Sequence, residues 1–278
     1  MTEALVLGGG GIAGIAWMTG LLTGLAEAGT DVTKVDTIIG TSAGATVAAQ
    51  LGSGLTLPEL YTRQTDQEAQ AAEIRGNVDL ENFGRDLKRV LAGTAAFPEM
   101  RRALGRFALG SSTVPEMARR AVIESRLPSH EWPTTVTLKL IAVDADSGDT
   151  RVFDSSSGVA LVDAVHASCA VPGLWPPVTI RDRRYVDGAV RSNTSADLAK
   201  GARRILVIAP LGRMELFPCE KPLTASIEEL RSSGSEVTLI EPDEGSRAAI
   251  GINPADPSTR RPAAEAGRAQ GRQMRSTG

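Results

Sequence analysis

Short apolar runs alternate with stretches of helical spacing at the start of the chain. ALVLG, residues 4–8, is apolar at nearly every position and predicts a strand buried on both faces. IAGIAWMTGLLTGLAEA, 12–28, follows a glycine run, places Trp17, Leu21 and Leu25 four residues apart on one face, and stops at Gly29, so it predicts a helix. VDTIIG, 35–40, repeats the strand signal, and AGATVAAQLGSG, 43–54, predicts a short helix of small residues. Strand, helix, strand, helix implies a parallel sheet covered by helices.

From about 55 to 133 this rhythm breaks. LPELYTRQTDQEAQAAEIRG, LENFGRDLKRVLAG, FPEMRRALGRFALG and STVPEMARRAVIESRLPS are polar and helix-like, the last with a start at Ser112 or Thr113 and Pro115 in its first turn. They predict a helical insertion packed beside the sheet, a candidate cap over a site. The alternation of Val136, Leu138 and Leu140 restores the sheet signal, and DSGD predicts a turn. GVALVDAVHASCAV, 158–171, predicts a helix stopped by Pro172, and WPPVTIRDRRYVDGAV predicts two short strands around RDRR. RRILVIAP, 203–210, and EVTLIEPD predict strands, with a helix over 226–234 whose Ser226 and Glu229 have capping-box spacing. The Ala- and Arg-rich end from Asp256 predicts a surface helix that frays, its arginines a solvated face with transient membrane-surface contact as the alternative. The expected architecture is a three-layer α/β/α fold with a mainly parallel sheet. It is read as a single domain over 1–278, with core motifs at 4–200, the helical insertion at about 55–133, and sheet and helix completing the fold at 201–278. No internal repeat is visible.

Composition narrows the function classes. Hydrophobic residues make up 42% of 278, which suits a folded globular chain. The net charge of -3 gives nucleic-acid binding no support. Two cysteines, Cys169 and Cys219, make neither a disulfide framework nor a metal site and fit a reducing compartment. Ala4 to Ala26 carries no charge and is long enough to span a bilayer, but Glu3 precedes it where a signal would carry Lys or Arg, and four glycines at 8–11 would break a membrane helix. A soluble cytoplasmic protein is expected.

Three places carry candidate chemistry. GTSAG, 40–44, has the G-x-S-x-G form, and it lies between a predicted strand and a predicted helix. Gly40 and Gly44 let the backbone turn tightly around Ser42, which is delivered to a helix N-terminus where developing negative charge is favoured. GGGGIAG, 8–14, contains Gly9-x-Gly11-x-x-Gly14, the dinucleotide fingerprint, again between strand and helix. A dinucleotide site wants an acidic residue at the end of the second strand, yet that strand ends Ile38-Ile39-Gly40 and Asp36 stands at its start. The same glycines can aim backbone N–H groups at an oxyanion near Ser42, because turns after neighbouring parallel strands share one sheet edge. The base is the third place. His130 lies in a loop and His166 on an apolar helix, neither in a suggestive context, whereas YVDGAV places Asp187 at a strand end with Gly188 allowing a sharp turn beside it.

Together, GGGGIAG at 8–14, GTSAG at 40–44, DGA at 187–189 and ASCAVPGLWPPV at 167–178 resemble, in that order, the patatin-like phospholipases over about residues 4 to 200. The resemblance implies a Ser–Asp dyad without histidine, with Ser42 as nucleophile, Asp187 as general base and oxyanion donors among Gly9, Gly10 and Gly11. It implies a lipid ester substrate (phospholipid, lysophospholipid or acylglycerol), and no metal or organic cofactor. One position departs: where the family often carries Arg or Lys before the last glycine of the first motif, this chain has Ala13, so a charge that would hold an anionic head group is missing there. In such a dyad Asp187 must itself take the serine proton, which an aspartate of ordinary pKa near ~3.9 does poorly, and dry surroundings from Leu174, Trp175, Val178 and Val186 would raise it. The alternatives are a dinucleotide-binding protein and a catalytically silent lipid-binding module.

Overall fold

Leu5 and Leu7 of the first strand, β1 (Glu3–Leu7), face one side of the sheet, and Ala4 and Val6 face the other. The computed structural model describes residues 2–74 and 80–274. On the Leu5 face lie α1 (Gly11–Glu27) and α2 (Ala43–Leu51), which follow β1 and β2 (Thr37–Thr41). Trp17, Leu21 and Leu22 of α1 are fully buried here, each worth about 1.5–3 kcal/mol of transfer free energy. On the Val6 face, Leu223, Ile227 and Leu230 of α8 (Leu223–Ser232) pack on β7 (Arg204–Ile208) and β8 (Glu236–Ile240). Period-two burial on both faces therefore gives the three-layer α/β/α arrangement.

The hydrogen-bonded strand path is β5-β6-β3-β2-β1-β7-β8. β3 (Thr137–Asp144), β2, β1, β7 and β8 are parallel, while β4 (Thr150–Phe153) and β6 (Arg183–Asp187) run antiparallel to β3, and β5 (Val178–Ile180) antiparallel to β6. Ile141 pairs with both Thr41 and Val152, and Ala142 with both Arg151 and Asp187. Since a strand has two edges, β4 holds one edge of β3, and β2 and β6 share the other, end to end.

The insertion contributes α3 (Leu57–Thr65), α4 (Leu80–Leu91), α5 (Phe97–Gly110) and α6 (Glu116–Arg126). Helix α3 packs on α1, and α6 packs on α7 (Leu161–Ser168). Leu104 and Ala108 of α5 cover Val143 and Val186 near the end of β6, with Phe83 and Leu87 of α4 beside them. The stretch read as helical over 57–76 is helix only as far as Thr65, and its residues 75–76 lie outside the described residues.

Two helix starts and one added helix differ from expectation. Helix α6 starts at Glu116, not at Ser112 or Thr113, because the residue before Pro115 is steered away from helical backbone. Helix α8 starts three residues before the expected Ser226, which is buried inside it, because Leu223 joins Ile227 and Leu230 on one face. A helix α9 (Glu244–Ile250), capped by Asp243, was not expected from the sequence.

The C-terminal helix α10 (Arg260–Gln273) is also not the solvated surface helix that composition suggests. It lies against α1 with backbones in contact. A Cβ on Gly20 or Gly24 would strike the carbonyls of Ala264 or Arg268, and one on Gly267 or Gly271 those of Trp17 or Leu21. Trp17 Nε1 donates to Gln270 Oε1 at 3.2 Å, Arg268 and Arg272 pair with Glu27, and Arg260 is buried against Glu73. Residues 275–278 lie outside the described residues. No described helix is long and apolar enough to cross a membrane: the uncharged stretch 4–26 divides into β1, a glycine turn and α1.

Candidate active site

Ser42 sits between β2 and α2 at φ 55°, ψ −116°, a backbone conformation rare for a residue with a side chain and costing about 1–3 kcal/mol. Its neighbours make the turn feasible. A Cβ on Gly40 would come within 2.7 Å of the Ala45 Cα and the Gly44 carbonyl, and one on Gly44 would occupy the Leu7 carbonyl. The predicted strand–turn–helix context of GTSAG is present.

The sheet register brings Asp187 to this turn. On the shared edge of β3, Thr41 stands opposite Ile141 and Asp187 opposite Ala142, so β2 leaves the sheet where β6 arrives. Gly188 continues the chain into a 3-10 turn (Gly188–Val190), where a Cβ would press on the Ile141 carbonyl. Three consecutive residues at the end of α7 fasten both sides. Ser42 N–H donates to Ser168 Oγ at 3.0 Å, Cys169 Sγ donates to the Ser42 carbonyl at 3.2 Å, and Asp187 N–H donates to the Ala170 carbonyl at 2.9 Å. The sequence offered these residues only within ASCAVPGLWPPV, with no role attached. Their signal was small polar side chains at the end of an otherwise apolar helix.

Asp187 is fully buried. Its Oδ1 accepts the Ala189 N–H at 2.8 Å, and its Oδ2 has no hydrogen-bond partner. Burial drives its pKa up to about 7, opposed by the Ala189 N–H and by the Ser42 hydroxyl, which stands close without an aligned hydrogen bond. Of the apolar residues expected around it, Val186 is its buried chain neighbour, Val178 pairs with Tyr185, and Leu174 and Trp175 line the adjoining cavity. Neither histidine hydrogen-bonds to Ser42 or Asp187. His166 is buried in α7 with both ring nitrogens unpartnered, and burial, with Arg119 and Arg120 nearby, holds its pKa at about 3. His130 lies at the surface beside Glu124.

The glycine loop meets Ser42 as expected, since a Cβ on Gly9 would lie 3.5 Å from the Ser42 Cβ. One expectation is corrected. Gly9 N–H donates to the Asn193 carbonyl at 2.8 Å, so it is not free to bind an oxyanion. Gly10 is the N-cap of α1 and Gly11 its first residue, and no described residue accepts from their N–H groups. Gly14 lies deeper, packing on Pro210 and Ala43. The dinucleotide alternative finds no ribose partner: Asp36 accepts the Glu3 N–H at the opposite sheet edge, and Pro210 and Pro254 press on Gly10 and Gly11.

A cavity of about 420 Å³ opens at Ser42 and Gly9–Gly11. Its walls are mainly apolar, with Ile12 and Ile15 from α1, Phe83 from α4, Leu174, Trp175 and Leu211. Asn193, Arg119 and Arg126 also line it, and sequence reasoning missed all three. For the arginines a signal existed: Arg119, Val122, Ile123 and Arg126 are spaced i, i+3, i+4, i+7 and form the buried face of α6.

The model of one protein family, described as patatin-like phospholipase, matches residues 5–200. Among solved structures, VipD from Legionella pneumophila aligns over 98% of this chain and 66% of its own, at 13% identity and a TM-score of 0.47. The type III effector protein ExoU aligns over 100% of this chain and 54% of its own, at 17% identity and a TM-score of 0.38. A structure of full-length SpcU in complex with full-length ExoU from the type III secretion system of Pseudomonas aeruginosa gives 18% identity and a TM-score of 0.38, covering 100% and 53%. The chain thus spans less than two thirds of the length of each of these proteins. No curated protein matches it.

Proposed function

The chain belongs to the patatin-like phospholipase family, and on that premise we propose that it hydrolyses acyl esters of lipids with Ser42 as nucleophile and Asp187 as sole general base. One observation carries this reading: Asp187 is buried beside Ser42 with Oδ2 unpartnered and a pKa raised to about 7, while no histidine reaches either residue. A base poised near neutral pH is what proton transfer from a serine hydroxyl requires.

In the proposed reaction the Ser42 proton passes to Asp187 Oδ2 as Oγ bonds to the ester carbonyl carbon. The negative oxygen of the tetrahedral intermediate is held by the Gly10 and Gly11 N–H groups at the positive end of α1. Collapse breaks the bond to the alcohol, which takes the proton from Asp187 and leaves acylated Ser42. Water then attacks the acyl group, giving its proton to Asp187, and the fatty acid departs as Ser42 recovers its proton. The Ser42 conformation, the Ser168 and Cys169 contacts and the Ala189 N–H keep the two residues in place without substrate.

A fluorophosphonate probe tests this. It should label the wild-type protein at Ser42 and leave Ser42→Ala unlabelled, and only the wild type should release fatty acid from a lipid ester. Failure to label a folded wild-type protein would instead point to a catalytically silent lipid-binding module.

A further inference from the structure

The buried face of α6 carries an arginine at each end, where apolar residues are expected. Among the described residues their counter-charge is one carboxylate. Glu73 accepts from Arg126 Nε at 2.9 Å and Nη2 at 2.6 Å, and also from Arg260, whose Nη1 reaches the Ala71 carbonyl at 3.1 Å. Arg119 Nη1 stays 3.8 Å from Glu73 Oε2, and its Nε and Nη1 are buried without a hydrogen-bond partner. Among the described residues three guanidinium groups share this one carboxylate, which leaves two formal positive charges without a paired anion there. Leaving a buried charge unpaired is costly, so this arrangement favours an incoming anion. Burial, then the Arg126 charge, lowers the Arg119 pKa to about 9, which leaves it charged at neutral pH.

The cluster adjoins the nucleophile. Arg119 stacks on the Trp175 ring, 3.6 Å from its centroid, and Arg119, Arg126 and Trp175 line the cavity that contains Ser42. Cys169, which donates to the Ser42 carbonyl, lies within the field of both guanidinium groups and of Asp187.

We propose that Arg119 and Arg126 form an anion subsite that holds the phosphate of a glycerophospholipid while its acyl ester lies at Ser42. This rests on the acyl-ester reading and narrows it to phosphate-bearing lipids. The positive charge absent at Ala13 is thereby supplied from α6 of the helical insertion. Of the two anions in such a reaction, the carboxylate forms only at Ser42, beside the glycine N–H groups. The phosphate is present throughout and needs its own partner. A planar guanidinium pinned on an aromatic ring, with free N–H groups, suits it.

Two measurements test this. In the first, kcat/KM is compared for a lysophosphatidate and a monoacylglycerol of the same acyl chain in the same detergent micelles. Arg119→Gln should lower the ratio of phosphate to neutral substrate by about 10- to 100-fold, and Arg119→Lys should restore part of it. An unchanged ratio, whether both rates persist or both fall, overturns the subsite. In the second, which needs no catalysis, glycerol 3-phosphate should raise the melting temperature of Ser42→Ala and not that of Ser42→Ala/Arg119→Gln. No shift in the first variant overturns the subsite even if the esterase reading stands. An equal shift with inorganic phosphate overturns the lipid head group as its ligand. A shift in a protein that cleaves no ester keeps the subsite and refutes the hydrolase.

Discussion

Ser42 owes its geometry to residues that have no side chain to obstruct it, and Asp187 owes its raised pKa to burial. Gly44→Ala would force a methyl group onto the Leu7 carbonyl. We expect loss of lipase activity together with a lowered melting temperature, read by a hydrolysis assay and a thermal scan. Ser168→Ala leaves the Ser42 N–H without its acceptor and should reduce kcat by about 10-fold while KM changes little, since positioning of the nucleophile is lost and the cavity is not. Asp187→Asn keeps the acceptor for Ala189 but cannot take a proton, so ester cleavage should cease. It also has a signature in stability. A carboxyl whose pKa is about 7 in the fold and near 3.8 in the unfolded chain contributes stability below pH ~4 that is lost as pH rises to about 7. Asp187→Asn should therefore gain on the wild type across that window, by an amount on the order of a few kcal/mol, and level off above it. His166, held neutral in the fold, shifts stability in the opposite direction over pH 3–6.5, but it does so in both proteins and cancels in their difference. Denaturant unfolding at several pH values reads this directly, and parallel curves would contradict the buried-base assignment.

At the scale of elements, the strands were legible because burial on both faces writes continuous apolar runs, as in ALVLG and RILVI. The two motif turns were legible because their glycines are demanded by contacts a few residues away. Other features depend on partners remote in sequence. That β6 ends where β2 begins to leave is decided by β3, which neither Ser42 nor Asp187 announces. The close packing of α10 on α1 was present as Gly20-x-x-x-Gly24 and Gly267-x-x-x-Gly271, yet neither spacing names its partner, and an arginine-rich tail reads as solvated. Gly267→Leu should cost about 3 kcal/mol or more by driving the helices apart, measured as a lower denaturation midpoint. Arg119 and Arg126 are not legible as cavity residues, because charge on a helix ordinarily marks a solvated face.

At the scale of the molecule, a parallel sheet presents two turns at one edge, and the insertion adds Phe83, Arg119 and Arg126 to the lining of the cavity beside them. This mainly apolar cavity should discriminate by acyl length. Each methylene that enters it gains about 0.8 kcal/mol, or roughly fourfold in kcat/KM when the gain is expressed in the transition state, until the cavity is full. An ester series of increasing chain length should rise and then level off, whereas a flat series would indicate a general esterase.

In the proposed mechanism Asp187 serves as base without a histidine. The most direct measurement is the pH dependence of kcat/KM in a histidine-free variant, His130→Ala/His166→Gln, with its fold verified by circular dichroism. Activity should stay within about threefold of wild type, with an acid limb that remains near pH 7, set by Asp187. Loss of activity from a folded histidine-free protein, or disappearance of that limb, would contradict it.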